Sequence, residues 1–369
     1  MAESLRFTVI AEGKGGLATA AGIAMKGFQV NFVAQPELES FLQPVKEQKG
    51  IKVTGMLGDG TVPLNLVTTD VAAALTDAEV VVIVCDAARQ RYWAEHCGPH
   101  LQEGQIVLLH PGNAGGALEF DYILKRAGLS RNVPVAETAG FFYVNRRVGP
   151  GAIEISNLKY DLPTAAMPGK DTERIVTLLN RAFERLAPAA NVIETSISQI
   201  NHLMHPCQVL FNVGRIEDTG GDFGLYAQAV TPSVARYIEL LDEERLAVAR
   251  ACGMELPTFL ELLLRFYGSQ GAQGSSVYEV LHSFPYYRAS RARPTIKNRL
   301  LTEDVPYGLT FIASLGRLVG VPTPRHDAVI TIAGSLLGAD FWKDGRTVDK
   351  VGIEGMSPRR LAEFVTEGR

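Results

Sequence analysis

A β-rich apolar run, LRFTVIA at residues 5–11, leads straight into the glycine turn EGKGG at 12–16. A run of small apolar residues, LATAAGIAMKGF at 17–28, and a second apolar run, QVNFVA at 29–34, follow. No other feature of the chain restricts its fold as much. Strand-type residues, a tight turn, a helix-type run and strand-type residues again describe a βαβ unit, in which a crossover helix joins two parallel strands.

Further apolar runs recur at VTGMLGDGTVPLNLVTT (53–69), AEVVVIVC (78–85), GQIVLLHPG (104–112) and VPVAETA (133–139), with helical stretches between several of them. Such alternation predicts a doubly wound, mostly parallel sheet. After GAIEISNLKYDLPTAAMPG (151–169) the pattern becomes helix after helix, at DTERIVTLLNRAFERL (171–186), TPSVARYIELLDEERLAVARACG (231–253), LPTFLELLLRFYG (256–268) and YGLTFIASLGRLVG (307–320). APAANV (187–192) loosens the pattern, so the sequence reads as a Rossmann-like α/β dinucleotide-binding domain over 1–190 and an all-α C-terminal domain over 191–369. Thr231 and Pro232 suit the N-cap and first position of the longest of these helices.

Composition narrows the ligand. With 36 basic against 40 acidic residues and no long basic block, the chain offers a nucleic acid no attractive field, and small molecules are the expected partners. Cys85, Cys97, Cys207 and Cys252 are scattered without CxxC spacing. Neither a metal site nor a disulfide framework is expected, and a reducing compartment, the cytoplasm, is. The apolar runs are too short to cross a bilayer, and the first residues do not read as a secretory signal.

The turn AEGKGGLA (11–18) is an imperfect dinucleotide fingerprint. Gly13 and Gly16 hold the second and third glycine positions, for backbone approach to a diphosphate and for close packing of helix on strand, whereas Ala11 replaces the first. Gly13, Lys14, Gly15 and Gly16 are therefore the candidate diphosphate cradle; Glu12 would oppose the anion and Lys14 offset it. The ribose-recognition position holds Gln35 where a carboxylate would favour NAD, and no arginine stands nearby to favour NADP, so NADH and NADPH both remain open. Asn113, after the strand and Pro-Gly of HPGNAGG, is expected to face the cofactor.

The stretch NHLMHPCQVLFNVGRIED (201–218) contains two of the chain's seven histidines, His202 and His205. Three residues apart on a helix they lie on nearby faces, and only one need be chemical. Alternatively, a histidine before proline simply ends a helical turn. In TEDVPYG (302–308), Thr302 and Asp304 suit N-caps and Pro306 a first helical turn, so capping alone would explain the residue types.

Taken together, GKGGLATAAGIAMKG (13–27), HPGNAGGALEF (110–120), ETAGFFY (137–143), NHLMHP (201–206), GLYAQAVTPSVARYIELLDEERLAVARACG (224–253), EDVPYGL (303–309) and DFWKDGRTVDKVGIEGM (340–356) resemble, in order and spacing, the NAD/NADP octopine/nopaline dehydrogenase family, the opine dehydrogenases. That resemblance runs over nearly the whole chain. It implies a two-domain enzyme that joins the amino group of an amino acid to a 2-oxo acid and reduces the imine with NAD(P)H. It further implies a homodimer, His205 of the His-Pro pair as the acid/base and Asp304 as its partner. The chemistry is consistent: imine formation needs a group that titrates near neutrality, and histidine, with an ordinary pKa of about 6.5, is that group. A carboxylate on its other nitrogen fixes the tautomer.

By the same resemblance Thr138, at the carboxyl edge of the sheet beside Glu137, is a candidate for the oxo-acid carboxylate. Asn201, one turn before His205, is read as orienting substrate or cofactor or as capping a helix. Arg215, Arg291, Arg293 and Arg299 are candidate carboxylate anchors, and the basic stretch YYRASRARPTIKNR (286–299) reads either as a wall for an anionic substrate or as a solvated loop. Two other functions fit parts of the sequence: a 2-oxo acid reductase of the ketopantoate reductase type, which would need a lysine acid that no comparable motif supplies, and a nucleotide-binding sensor without turnover.

Overall fold

The computed structural model describes residues 5–129 and 132–368. They form two compact units: one of residues up to Gly112, Gly116–Thr195 and the chain from Val365 on, the other of Asn113–Gly115 and Ser196–Phe364. The first unit thus contains the helix Thr172–Phe183, and the last turns of the chain return to it.

Among the described residues the first unit has twelve strands: β1 (Arg6–Ala11), β2 (Gln29–Val33), β3 (Gly50–Gly55), β4 (Gly60–Pro63), β5 (Leu66–Thr68), β6 (Val80–Val84), β7 (Ile106–Leu109), β8 (Val135–Thr138), β9 (Tyr143–Gly149), β10 (Ala152–Leu158), β11 (Leu162–Met167) and β12 (Leu186–Pro188). Eight of them make one sheet in the order β12-β11-β8-β7-β6-β1-β2-β5. All neighbours are parallel except β8 with β11. Helices cover the parallel strands, so β6, VVVIV, and β7, IVLL, are buried throughout and read as unbroken apolar runs. The order reverses at β1, between β2 and β6, which is the switch point where ligands bind in open α/β sheets.

The strands do not all join the single sheet expected from the sequence. The hairpin β3-β4 pairs with β10 and β9 in a separate four-stranded sheet, β4-β3-β10-β9. The helix Lys14–Met25 lies against both sheets and is buried along Gly16–Ile23. Its small residues are the reason: a Cβ on Gly22 would come within 2.2 Å of the Tyr143 hydroxyl on β9. A helix apolar all round is one that packs on both sides.

The second unit is helical among the described residues, apart from one bridge between Gly224 and Arg291. Thr231 caps the helix Pro232–Ala251 by accepting from Val234 N–H, and Thr258 with Glu261 forms a reciprocal capping box on Phe259–Tyr267. Each cap contributes about 1 kcal/mol. Among the described residues no helix is long and apolar enough to cross a membrane, and no three metal-ligating side chains converge.

Candidate active site

The glycine turn caps the crossover helix of the first unit. Gly13 is its N-cap in extended backbone (φ −178°), and a Cβ there would meet nothing within 4 Å. That open space is what backbone approach to a diphosphate requires. Gly16 is the opposite case: its Cβ would fall 2.1 Å from that of Ala11. The close packing of helix on strand therefore happens against Ala11 itself, the residue that replaces the first fingerprint glycine. Gly15 abuts Phe141, whose ring would lie 2.8 Å from a Cβ added there.

The charges beside the turn are arranged otherwise than the sequence implied. Glu12 accepts from the Trp93 indole at 2.8 Å and faces Arg89 at 3.4 Å. Lys14 donates to the Asn145 carbonyl of β9 at 3.1 Å. Arg89 and Trp93 thus hold the carboxylate that Lys14 was expected to offset, a pairing that no sequence spacing announces.

Gln35 follows β2, is 6% exposed, and leaves its amide Nε2 without a hydrogen-bond partner. A buried donor without a partner costs about 1–3 kcal/mol. A ribose hydroxyl at this position would satisfy it. The open Gly13, the close-packed Gly16 and the orphan Gln35 donor together fit a dinucleotide.

At the carboxyl edge of β8, Glu137 and Thr138 are both engaged within the first unit. Glu137 accepts from Ala117 N–H at 2.7 Å, at the start of helix Gly116–Arg126, and from the Thr195 hydroxyl at 2.6 Å. Thr138 donates to the Gly140 carbonyl at 2.9 Å and accepts from His110 Nδ1 at 2.8 Å. The other His110 nitrogen accepts from Phe142 N–H at 3.2 Å. Burial, helped by the nearby Lys159, lowers the His110 pKa to about 3, so this imidazole is neutral and structural.

In the second unit, His205 donates from Nδ1 to Asp304 Oδ2 at 2.8 Å. An α-helix and a π-helical turn carry the two residues. His205 lies in helix Asn201–Leu210, which continues through Pro206 where the His-Pro pair suggested an end. Asp304 stands at the mouth of a π-helical turn, Val305–Leu309, closed by Leu309 N–H onto the Asp304 carbonyl at 3.1 Å. Turns of this kind concentrate at functional sites. The Asp304 side chain makes no capping bond, so capping does not account for it. Burial pushes its carboxyl pKa up, but the charge and hydrogen bond of His205, with smaller contributions from His202 and Arg299, hold it below the usual carboxylate range.

His202 is built into the same unit differently. It is fully buried, its ring fills the space beside Gly308, where a Cβ would come within 2.2 Å, and Nδ1 has no hydrogen-bond partner. Its Nε2 lies 3.5 Å from Asn113 Oδ1 and 3.7 Å from Asp304 Oδ1. Burial lowers its pKa to about 4, against the pull of Asp304. Asn113, expected at the cofactor, belongs to this unit: Oδ1 accepts from Gln199 at 3.1 Å and Nδ2 reaches Glu303 at 3.5 Å. Arg346 holds the same segment by donating to the Ala114 carbonyl at 2.9 Å. Asn201 opens the His205 helix and is half-buried.

Among the four candidate arginines, Arg291 pairs with Asp222, and Arg215 lies over the Phe223 ring at 4.2 Å and bonds the Gln228 carbonyl. Arg299 grips Glu303 through Nε and Nη2, at 2.9 and 2.5 Å, and is the arginine whose charge lowers the Asp304 pKa. Sequence reasoning passed over Tyr226, whose hydroxyl lies 3.4 Å from His205 Nε2. It sits in the motif GLYAQAVTPSV, but nothing in that spelling separates it from a packing tyrosine.

Residues 188–337 match the family model described as NAD/NADP octopine/nopaline dehydrogenase, alpha-helical domain. An opine dehydrogenase of Arthrobacter sp. (strain 1C) is 33% identical over 99% of this chain and 100% of its own. Among solved structures, octopine dehydrogenase in complex with NADH and agmatine superposes with a TM-score of 0.82 at 18% identity, covering 99% of this chain and 98% of that one. Yersinopine dehydrogenase with NADP+ bound gives a TM-score of 0.73 at 16% identity, covering 100% and 99%.

Proposed function

The chain belongs to the opine dehydrogenases of the octopine/nopaline dehydrogenase family, and on that premise we propose that it condenses an amino acid with a 2-oxo acid and reduces the imine with NADH or NADPH, using His205 as acid and base and Asp304 to orient it. The observation that carries the assignment of roles is the 2.8 Å contact between His205 Nδ1 and the Asp304 carboxylate. It leaves Nε2 as the nitrogen for substrate and fixes the tautomer in which Nε2 is the basic one.

His205 Nε2 takes a proton from the attacking amine and returns it to the carbinolamine oxygen. Protonated again, it helps that oxygen leave as water. Asp304 steadies the imidazolium in each charged interval. The nicotinamide, when bound, supplies the hydride that reduces the imine carbon. Gly13 and Gly15 would receive a diphosphate, with Lys14 at the rim and Gly16 letting the helix pack closely on β1, and Gln35 would donate to the ribose. Asn113 keeps His202, Gln199 and Glu303 in register around the pair, and Asn201 orients the substrate. Arg299 braces Glu303, and its charge helps to keep the neighbouring Asp304 ionised. Thr138 serves the oxo acid through the loop its hydroxyl orders at Gly140. A homodimer, which the family resemblance implies, completes the proposal, and the absence of any disulfide among the four cysteines suits the reducing cytoplasm.

The test is oxidation of NADH and of NADPH with pooled amino acids, run with and without pyruvate, 2-oxoglutarate and oxaloacetate. A requirement for both pools is the expected result. Oxidation with oxo acids alone would make the protein a 2-oxo acid reductase, and tight nucleotide binding without oxidation would make it a sensor.

A further inference from the structure

Resting on the function proposed above, we infer that Tyr226 is a further catalytic residue, whose hydroxyl donates a hydrogen bond to the substrate oxygen that leaves as water while His205 serves that same oxygen through Nε2. Asp304 occupies Nδ1, so a substrate oxygen must approach Nε2. The Tyr226 hydroxyl stands 3.4 Å from Nε2, too far for a strong hydrogen bond between them. An oxygen can sit about 2.8 Å from both groups at once.

The hydroxyl is held ready. The Tyr226 ring stacks on Tyr287 with centroids 3.9 Å apart and planes 4° from parallel, and Tyr287 in turn meets Phe284 edge-on at 4.9 Å. The turn that carries Tyr226 is tied down by the Gly224 to Arg291 bridge and by Leu225 N–H on the Ser290 carbonyl at 2.9 Å. Burial, with Tyr267, Tyr286 and Asp304 nearby, pushes the phenol pKa up, so the group is a neutral donor and not a base. Phenylalanine would fill the stack equally well; the hydroxyl is the part that reaches Nε2.

In the condensation, the amine lone pair forms the C–N bond and the carbonyl π pair moves to oxygen, where the Tyr226 hydrogen bond stabilises the developing charge. His205 moves a proton from nitrogen to that oxygen. A second proton, carried by His205 from solvent, accompanies C–O cleavage; water departs and the nitrogen lone pair forms the iminium. Tyr226 has no part in the hydride step, in which no substrate oxygen changes charge.

The test is stopped-flow oxidation by Tyr226→Phe holoenzyme of the condensation product that the wild type forms from pyruvate and the best of the standard amino acids. Oxidation produces reduced cofactor first and hydrolyses the iminium afterwards. The expected result is a burst of reduced cofactor at close to the wild-type rate, then a steady state slower on the order of 100-fold, with unchanged cofactor affinity and melting temperature. Wild-type rates in both phases would overturn the inference, and so would a burst slowed as much as the steady state, which is what a merely structural role produces. A wild type that makes no product from any such pair overturns the proposed function, and this inference with it.

Discussion

The Nδ1–H of His205 meets Oδ2 of Asp304 at 2.8 Å across 99 residues of chain. The contact joins two helical segments, one running through Pro206 and one opening into the π-helical turn at Val305. His202, one turn earlier, reaches the other oxygen only at 3.7 Å and is sealed from solvent. The two histidines therefore respond differently to substitution.

Replacing His205 with alanine should lower turnover on the order of 10²- to 10⁴-fold, the usual contribution of a general acid/base, and Asp304→Asn should fall in the same range. Replacing His202 with alanine should instead cost about 2–4 kcal/mol of stability by opening a cavity against Gly308. Steady-state rates set beside thermal melts separate the two. Retention of full turnover by His205→Ala would remove it from the mechanism.

Stability should fall on the acid side. The folded-state pKa of His202 is lowered to about 4 by burial, so between that value and its ordinary one, about 6.5, the unfolded chain binds a proton that the folded one does not. His202 therefore allows full stability above about pH 6.5 and erodes it as pH drops towards 4. The depressed Asp304 carboxyl works at lower pH: its contribution is complete above about pH 4 and is lost as pH falls through the folded value. Melting temperature followed from pH 7.5 to 4.5 should decline, and His202→Asn should make that decline shallower.

Alanine at Gly13 and at Gly16 should fail in different ways. At Gly13 the added carbon enters open space, so the protein should melt normally while nucleotide affinity falls about 10-fold, because the carbon occupies the diphosphate's approach. At Gly16 it would lie 2.1 Å from Ala11 Cβ, so strand and helix must part and the melting temperature should drop. Calorimetric titration with NADH and NADPH, alongside melting curves, reads both.

At Gln35 a carboxylate would accept from a ribose 2′-hydroxyl and repel a 2′-phosphate. Gln35→Glu should therefore shift the ratio of kcat/KM for NADPH over NADH downwards by about 10-fold. An unchanged ratio would place ribose recognition elsewhere.

Much of the architecture is legible in the sequence. The strand, glycine turn and small-residue helix at 5–28, the buried runs of β6 and β7, and the Thr231-Pro232 start of a long helix are all written in contiguous residues, because strand and helix periodicity and capping act over a few positions. The separate sheet is not legible there, since the alternation in β3 and β4 says that they pair but not with which partner, and β10 lies some hundred residues on.

The site divides along the same line. From the sequence alone came its chemical vocabulary: a glycine cradle, a histidine beside a proline and a distant aspartate. Only the tertiary structure decided that Asp304 meets His205 while His202 is packed on Gly308, that Glu137 caps a helix, that Asn113 joins the helical unit, and that the Tyr226 hydroxyl comes within 3.4 Å of Nε2. The physical reason is range. Local backbone preferences are set by near neighbours, whereas a side chain's partner and its exposure to water are set by how whole elements pack, and protonation follows from those two.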